Sequence, residues 1–151
     1  MLYEPPISTG SAIYPPAVAS RIQTLTASGD REGALITFLQ EIVRMPAYEM
    51  ELLRSAPRWP ARVAAVRTVL RELQWTNAYV FDPARLRSLA IPSLLLLGEE
   101  SPAFLQAETM AGHAALLTSR LRVMPGQQHT AMSNAPEWFM REVLTFLAQA
   151  D

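Results

Sequence analysis

Four consecutive leucines, Leu94 to Leu97, entered through Ile91-Pro92-Ser93 and left through Gly98-Glu99-Glu100-Ser101, constrain the fold of this chain more than any other stretch. A run this apolar and this short reads as a strand covered on both faces, the situation of a parallel strand with helices on either side. Sheets of that kind keep their chemistry at the carboxyl ends of the strands, and this end carries a glycine, two carboxylates and a serine. One helical stretch later, Arg122-Val123-Met124 leads through Pro125-Gly126-Gln127-Gln128 to His129. Strand, helix, strand at this spacing implies two parallel neighbours joined by a crossover, so a carboxylate and an imidazole are delivered from adjacent strand ends. Two parallel strands are not a stable sheet by themselves, and the pattern implies further strands.

Upstream the patterning is helical. Leu2-Tyr3 reads as the tail of a strand that runs at once into Glu4-Pro5-Pro6 and the polar Ser8-Thr9-Gly10-Ser11. Pro15-Pro16 opens a first helix with Val18, Ile22 and Leu25 on one stripe, Gly29 stops it, and Asp30 caps the next. That second helix, about 31–44, repeats Leu35, Phe38, Leu39 and Ile42 at the spacing of one buried face. Pro46 restarts a short helix carrying Tyr48, Leu52 and Leu53, and Pro57 and Pro60 break it. A third amphipathic stretch covers about 61–75. Asp82-Pro83 caps a short helix to Leu89, the crossover helix runs from about 102 to 117, the second strand is 121–124, and a last helix covers about 136–148. The expected organisation is thus residues 1–13 as a strand end and lead-in loop, 14–82 as a helical cap, and 83–151 as strand-helix-strand-helix of an α/β core.

Composition narrows the function classes. Half of the 151 residues are apolar and 18% are charged, far from disorder. Net charge is −1 and the thirteen basic residues, all arginine, are scattered among acids, which argues against a nucleic-acid partner. Cysteine is absent, removing disulfides, a thiol nucleophile and thiolate metal sites. The start, Met1 to Pro6, has neither a basic region nor a long apolar one, so no signal peptide, no membrane association and a cytoplasmic location are expected. His113 and His129 are not spaced as a helical pair, no glycine-rich phosphate loop is present, and neither a metal nor a cofactor is implied.

These segments, in this order, resemble the C-terminal half of an α/β-hydrolase. Leu2 to Pro6 is similar to the end of the strand that precedes the cap, residues 14 to about 79 to the helical cap, Pro92 to Gly98 to the strand that carries the acid, and Pro125 to His129 to the histidine loop. The resemblance implies a nucleophile, usually serine, on a G-x-S-x-G elbow, and an oxyanion hole from an earlier loop. Neither occurs in this sequence; Gly10-Ser11 and Ser28-Gly29 lack the flanking strand and the second glycine.

Within that resemblance His129 takes the position of the base, an imidazole suited to accept the nucleophile's proton and return it. In many α/β-hydrolases the acid is an aspartate three residues past the strand-end glycine, which falls here on Ser101; the subgroup this chain most resembles places its acid one residue earlier, which implies Glu100, with Glu99 as the fallback. Solvated strand-end carboxylates are the plainer reading of both. A carboxylate oxygen of one or the other should then lie within about 3.5 Å of an imidazole nitrogen of His129, or be brought there by docking a partner. Glu4 follows a strand end and could be a carboxylate near the site, but before Pro-Pro it reads rather as a turn residue, and His113 reads as an exposed helix residue. Trp59, Trp75, Tyr79 and Phe81 could line an apolar acyl pocket, or pack cap helices against the sheet. Two function classes follow. One is a hydrolase lobe that supplies histidine and acid for cleavage of an ester- or amide-type bond and partners an N-terminal half. The other is a non-catalytic module that pairs with a second copy into a homodimer through exposed sheet edges and the apolar face of the cap.

Overall fold

A computed structural model describes residues 1–8 and 14–149. Thr9, Gly10 and Ser11, with the end of the expected lead-in loop, lie outside the described residues. The chain forms two compact units, one from Ala12–Tyr79 and one that joins Met1–Ser11 to Val80–Asp151.

The first unit is helical. Helix α1 (Pro16–Ala27) begins with proline at its first position and ends where Gly29 adopts φ +87°. Asp30 then caps α2 (Arg31–Thr37), its side chain accepting the Gly33 N–H at 2.9 Å. The expected single helix continues, but as a π-helical stretch over Phe38–Ile42, in which Val43 N–H reaches back five residues to the Phe38 carbonyl. The extra residue in that turn still leaves Leu35, Leu39 and Ile42 in the core. Helix α3 (Ala47–Ser55) turns a different face inward from the one its pattern suggested: Met50 is buried, whereas Tyr48 and Leu52 are exposed. The third stretch starts earlier than expected and is broken in two, α4 (Trp59–Ala65) and α5 (Val69–Ala78), by a 3₁₀ turn at Val66–Thr68. Ile22, Ala34, Leu35, Met50, Trp59, Val66 and Leu73 close the core of this unit.

The second unit is a three-stranded parallel sheet with helices. Strands β1 (Leu2–Tyr3), β2 (Ser93–Gly98) and β3 (Ser119–Met124) lie side by side in that order. Leu2 pairs with Leu95 and Tyr3 with Leu96, and β2 runs in register with β3 from Ser93–Ser119 to Gly98–Met124. Helix α6 (Pro83–Arg87), capped by Asp82, precedes β2, and α7 (Ala103–Ala115) is the crossover to β3. A four-residue helix, α8 (Ala131–Asn134), and α9 (Pro136–Leu147) follow. Leu94 and Leu96 pack with Met124, Ala131, Phe139 and Phe146 on one face. Leu95 faces α7, which comes so close at Gly112 that a Cβ there would stand 3.5 Å from Leu95 Cδ2. The four leucines are therefore buried from both sides, as the sequence required.

Candidate active site

The carboxyl ends of the three strands meet, and the residue that organises them is Glu4. Its backbone N–H continues the β1–β2 ladder to the Leu96 carbonyl at 3.2 Å. Its own φ is +41°, a left-handed conformation that side-chain-bearing residues seldom adopt, immediately before Pro5-Pro6. The side chain is almost fully enclosed, at 1% exposure. A carboxylate at that depth is tolerable only when its oxygens are occupied by donors. Three donors converge on it. Oε1 accepts from the Gly98 N–H at 2.7 Å and from the Ser101 hydroxyl at 2.5 Å, and Oε2 stands 2.6 Å from His129 Nδ1.

His129 is delivered by the turn after β3, where Gly126 takes φ +66°. That turn is laced to the end of β2. Glu99 N–H donates to the Met124 carbonyl, Glu100 N–H donates to the Gln127 carbonyl at 2.9 Å, and Gly126 N–H donates to Glu99 Oε2 at 3.1 Å. The two loops approach so closely that a Cβ on Gly98 would lie 2.5 Å from the Gln127 carbonyl oxygen and 2.7 Å from Ser101 Oγ, which explains glycine at the strand end. Tyr3 covers the imidazole, with ring centroids 5.8 Å apart and planes 13° from parallel. Because the carboxylate can only accept, Nδ1 carries the proton in the neutral ring, and Nε2 is left as the basic nitrogen. His129 remains about one-third exposed, so that nitrogen belongs to a group solvent can reach.

The contact expected of Glu100 or Glu99 is not the one the structure shows. His129 stands where the strand-helix-strand pattern put it, but its nitrogen is held by Glu4 rather than by Glu100 or Glu99. The N–H groups of both residues are committed to the histidine loop, their side chains are exposed, and the Glu99 carboxylate serves the Gly126 turn. Ser101, where an aspartate was sought, donates to Glu4 instead. A signal for Glu4 did exist: it is a carboxylate placed directly after an apolar strand end, the very criterion that drew attention to Glu100. Its partner, however, lies 125 residues away.

Other predicted positions are less involved. His113 is half-buried rather than exposed, with Nδ1 2.8 Å from Ser119 Oγ at the end of α7. Trp59 is buried and donates to Glu32 at 3.1 Å inside the helical unit, Phe81 is half-buried, and Trp75 and Tyr79 are exposed. A second buried carboxylate, Glu108 on α7, was missed altogether. Burial pushes it up from an ordinary value of 4.5 to about 7, with the Ile7 N–H donating in opposition, and its Oε2 has no partner. No helix among the described residues is long and apolar enough to cross a membrane.

No family model and no curated protein matches the sequence. Solved structures do match. An α/β-hydrolase from Sphaerobacter thermophilus is similar at 26% identity with a TM-score of 0.74, over 96% of this chain and 56% of that one. MGS-M2, an α/β-hydrolase enzyme from a Medee basin deep-sea metagenome library, is similar at 19% identity and TM-score 0.68, over 99% and 55%. NosK from Streptomyces actuosus gives 21% identity and TM-score 0.51, over 96% and 56%. The chain thus spans a little over half the length of the hydrolases it matches, and its fold is that of the C-terminal part of an α/β-hydrolase.

Proposed function

We propose that this chain is the acid-and-histidine part of a Ser-His-acid hydrolase acting on ester- or amide-type bonds, with Glu4 as the acid and His129 as the base. The observation that carries the reading is the buried Glu4 carboxylate 2.6 Å from His129 Nδ1, with its second oxygen saturated by Gly98 and Ser101. Such an acceptor fixes the tautomer that presents a basic Nε2 and stabilises the imidazolium that forms when Nε2 takes a proton. In the working enzyme Nε2 accepts the proton of a serine hydroxyl as its oxygen attacks the substrate carbonyl. It returns that proton to the leaving alcohol or amine, and then repeats the exchange with water to free the acid. Proton transfer of this kind is worth about 10²–10⁴ in rate. The serine and oxyanion hole are supplied by residues outside this sequence, from an N-terminal hydrolase half. The substrate is a small molecule, and the protein works in the cytoplasm.

A specific observation favours a second reading, self-association. Met140, Leu144 and Leu147 form an exposed apolar row along α9, and among the described residues β1 pairs only with β2. A homodimer that covers these surfaces would be a binding module without catalysis.

Hydrolysis of a short-chain p-nitrophenyl ester separates the two. The chain is assayed alone and mixed with the part of the Sphaerobacter thermophilus hydrolase that this chain does not match, with its mass in solution determined on the same samples. The hydrolase reading expects turnover only in the mixture, abolished by His129→Ala and reduced by Glu4→Gln. A stable dimer that stays inactive in both settings would favour the second reading.

A further inference from the structure

Adjacent residues of an extended strand point to opposite faces, yet Tyr3 and Glu4 both reach the same imidazole. The left-handed backbone at Glu4 makes this possible, since it swings the carboxylate away from the strand's alternation while Tyr3 stays on the α9 face beside Phe139. The Tyr3 ring lies flat over His129 and is held from behind by Phe139, edge to face at 5.3 Å with planes 78° apart. Its hydroxyl donates to the Gln128 carbonyl and accepts the Ala131 N–H at 3.2 Å. One phenol therefore clasps the backbone on both sides of His129 while its ring fixes the plane in which the imidazole lies.

We infer that Tyr3 is a positioning residue for His129: with the Glu4 contact it determines where Nε2 points. Hydrogen bonding to Glu4 alone leaves the imidazole free to swing about the Nδ1–Oε2 line, and the bonds through which Glu99 and Glu100 hold the histidine loop to β2 reach its residues 124–127, short of the ring itself. The stacked ring removes the swing and the hydroxyl removes the loop motion. Productive geometry for proton transfer requires such a second restraint, because an ångström of displacement at the base is costly to rate. The inference rests on the acid–histidine reading above and extends it to a residue that carries no proton in the reaction.

The test uses the chain alone and needs no turnover. The sequence has two histidines, so His113 is an internal reference in nitrogen-edited proton spectra. In the unaltered chain the His129 Nδ1–H is expected as a downfield, slowly exchanging resonance, with nuclear Overhauser contacts between the Tyr3 and His129 rings. Tyr3→Phe keeps the ring and deletes both hydroxyl bonds. It is expected to speed exchange of that proton about tenfold, the opening that one net hydrogen bond suppresses, with His113 unchanged. Unaltered exchange in a folded Tyr3→Phe chain would overturn the inference. If that variant does not fold, the ring contacts in the unaltered chain decide, and their absence overturns it. Absence of the Nδ1–H resonance in the unaltered chain would remove the Glu4–His129 pair and this inference with it. Failure of ester hydrolysis with the resonance and its Tyr3 dependence intact would count against the hydrolase reading alone.

Discussion

Replacing Glu4 by glutamine should reverse the tautomer of His129, and donor counting on the structure says by how much. At present Oε1 faces two donors, Gly98 N–H and Ser101 O–H, while Oε2 faces Nδ1. A glutamine amide offers one acceptor oxygen and one donor nitrogen. With the oxygen in the Oε1 position both buried donors stay satisfied, and the NH₂ group then faces Nδ1, which must give up its proton and accept. The opposite amide orientation sets NH₂ against the Gly98 N–H in an enclosed site, and an unsatisfied buried donor costs about 1–3 kcal/mol. The first orientation should therefore dominate by roughly 5- to 150-fold, with His129 protonated on Nε2 instead of Nδ1. Two-bond nitrogen–proton spectra distinguish the tautomers directly at a pH where the ring is neutral. A Glu4→Gln chain that keeps Nδ1–H would refute the reasoning, because it would mean that the carboxylate is not what holds the proton there. The functional corollary is severe, since an Nε2–H imidazole cannot act as base; an amide at this place in an intact triad costs on the order of 10⁴ in turnover.

Three further outcomes are expected. Glu100→Ala, at an exposed position, should change stability by less than about 0.5 kcal/mol and leave the His129 resonance in place, as read from urea unfolding and the same spectra; loss of the resonance would restore Glu100 as the acid. Gly98→Ala drives a Cβ to 2.5 Å from the Gln127 carbonyl oxygen, so it should cost about 1–3 kcal/mol and displace the histidine loop; an unperturbed His129 in that variant would show that the two loops separate more easily than their contacts imply. Glu108 is raised to about 7 against an ordinary 4.5, so the folded chain binds one more proton than the unfolded chain between those values and stability falls as pH rises through that window, by about 3 kcal/mol at most. Glu108→Gln should abolish that slope and unfold at higher urea than the unaltered chain at pH 8, and equal slopes would refute the assignment.

The division between what could be read from residues and what could not follows the range of the interactions. Leu94–Leu97 announced a strand buried on both faces because burial on two sides leaves no room for alternation, and the glycine, proline and aspartate signals at Gly29, Pro16, Asp30 and Asp82 act within three residues of themselves. The π turn at Phe38–Ile42 and the inward face of α3 were not legible, since packing chooses between helical registers that differ little in local energy.

The same logic separates His129 from the carboxylate it meets. The sequence by itself determined that a histidine would follow the end of a parallel strand, because strand, crossover, strand and Pro-Gly turn are all local patterns. Which carboxylate would meet it was decided by the pairing of Tyr3 with Leu96 and by the positive φ of Glu4, which together carry residue 4 across the end of β2 to residue 129. Glu99 and Glu100 were nearer in sequence and in pattern, but their backbone N–H groups bond the end of β3 and the histidine loop, the Glu99 carboxylate holds the Gly126 turn, and the Glu100 side chain is exposed. Three donors converge on the buried Glu4 carboxylate, and that convergence is a property of three strand ends in space rather than of any segment read alone.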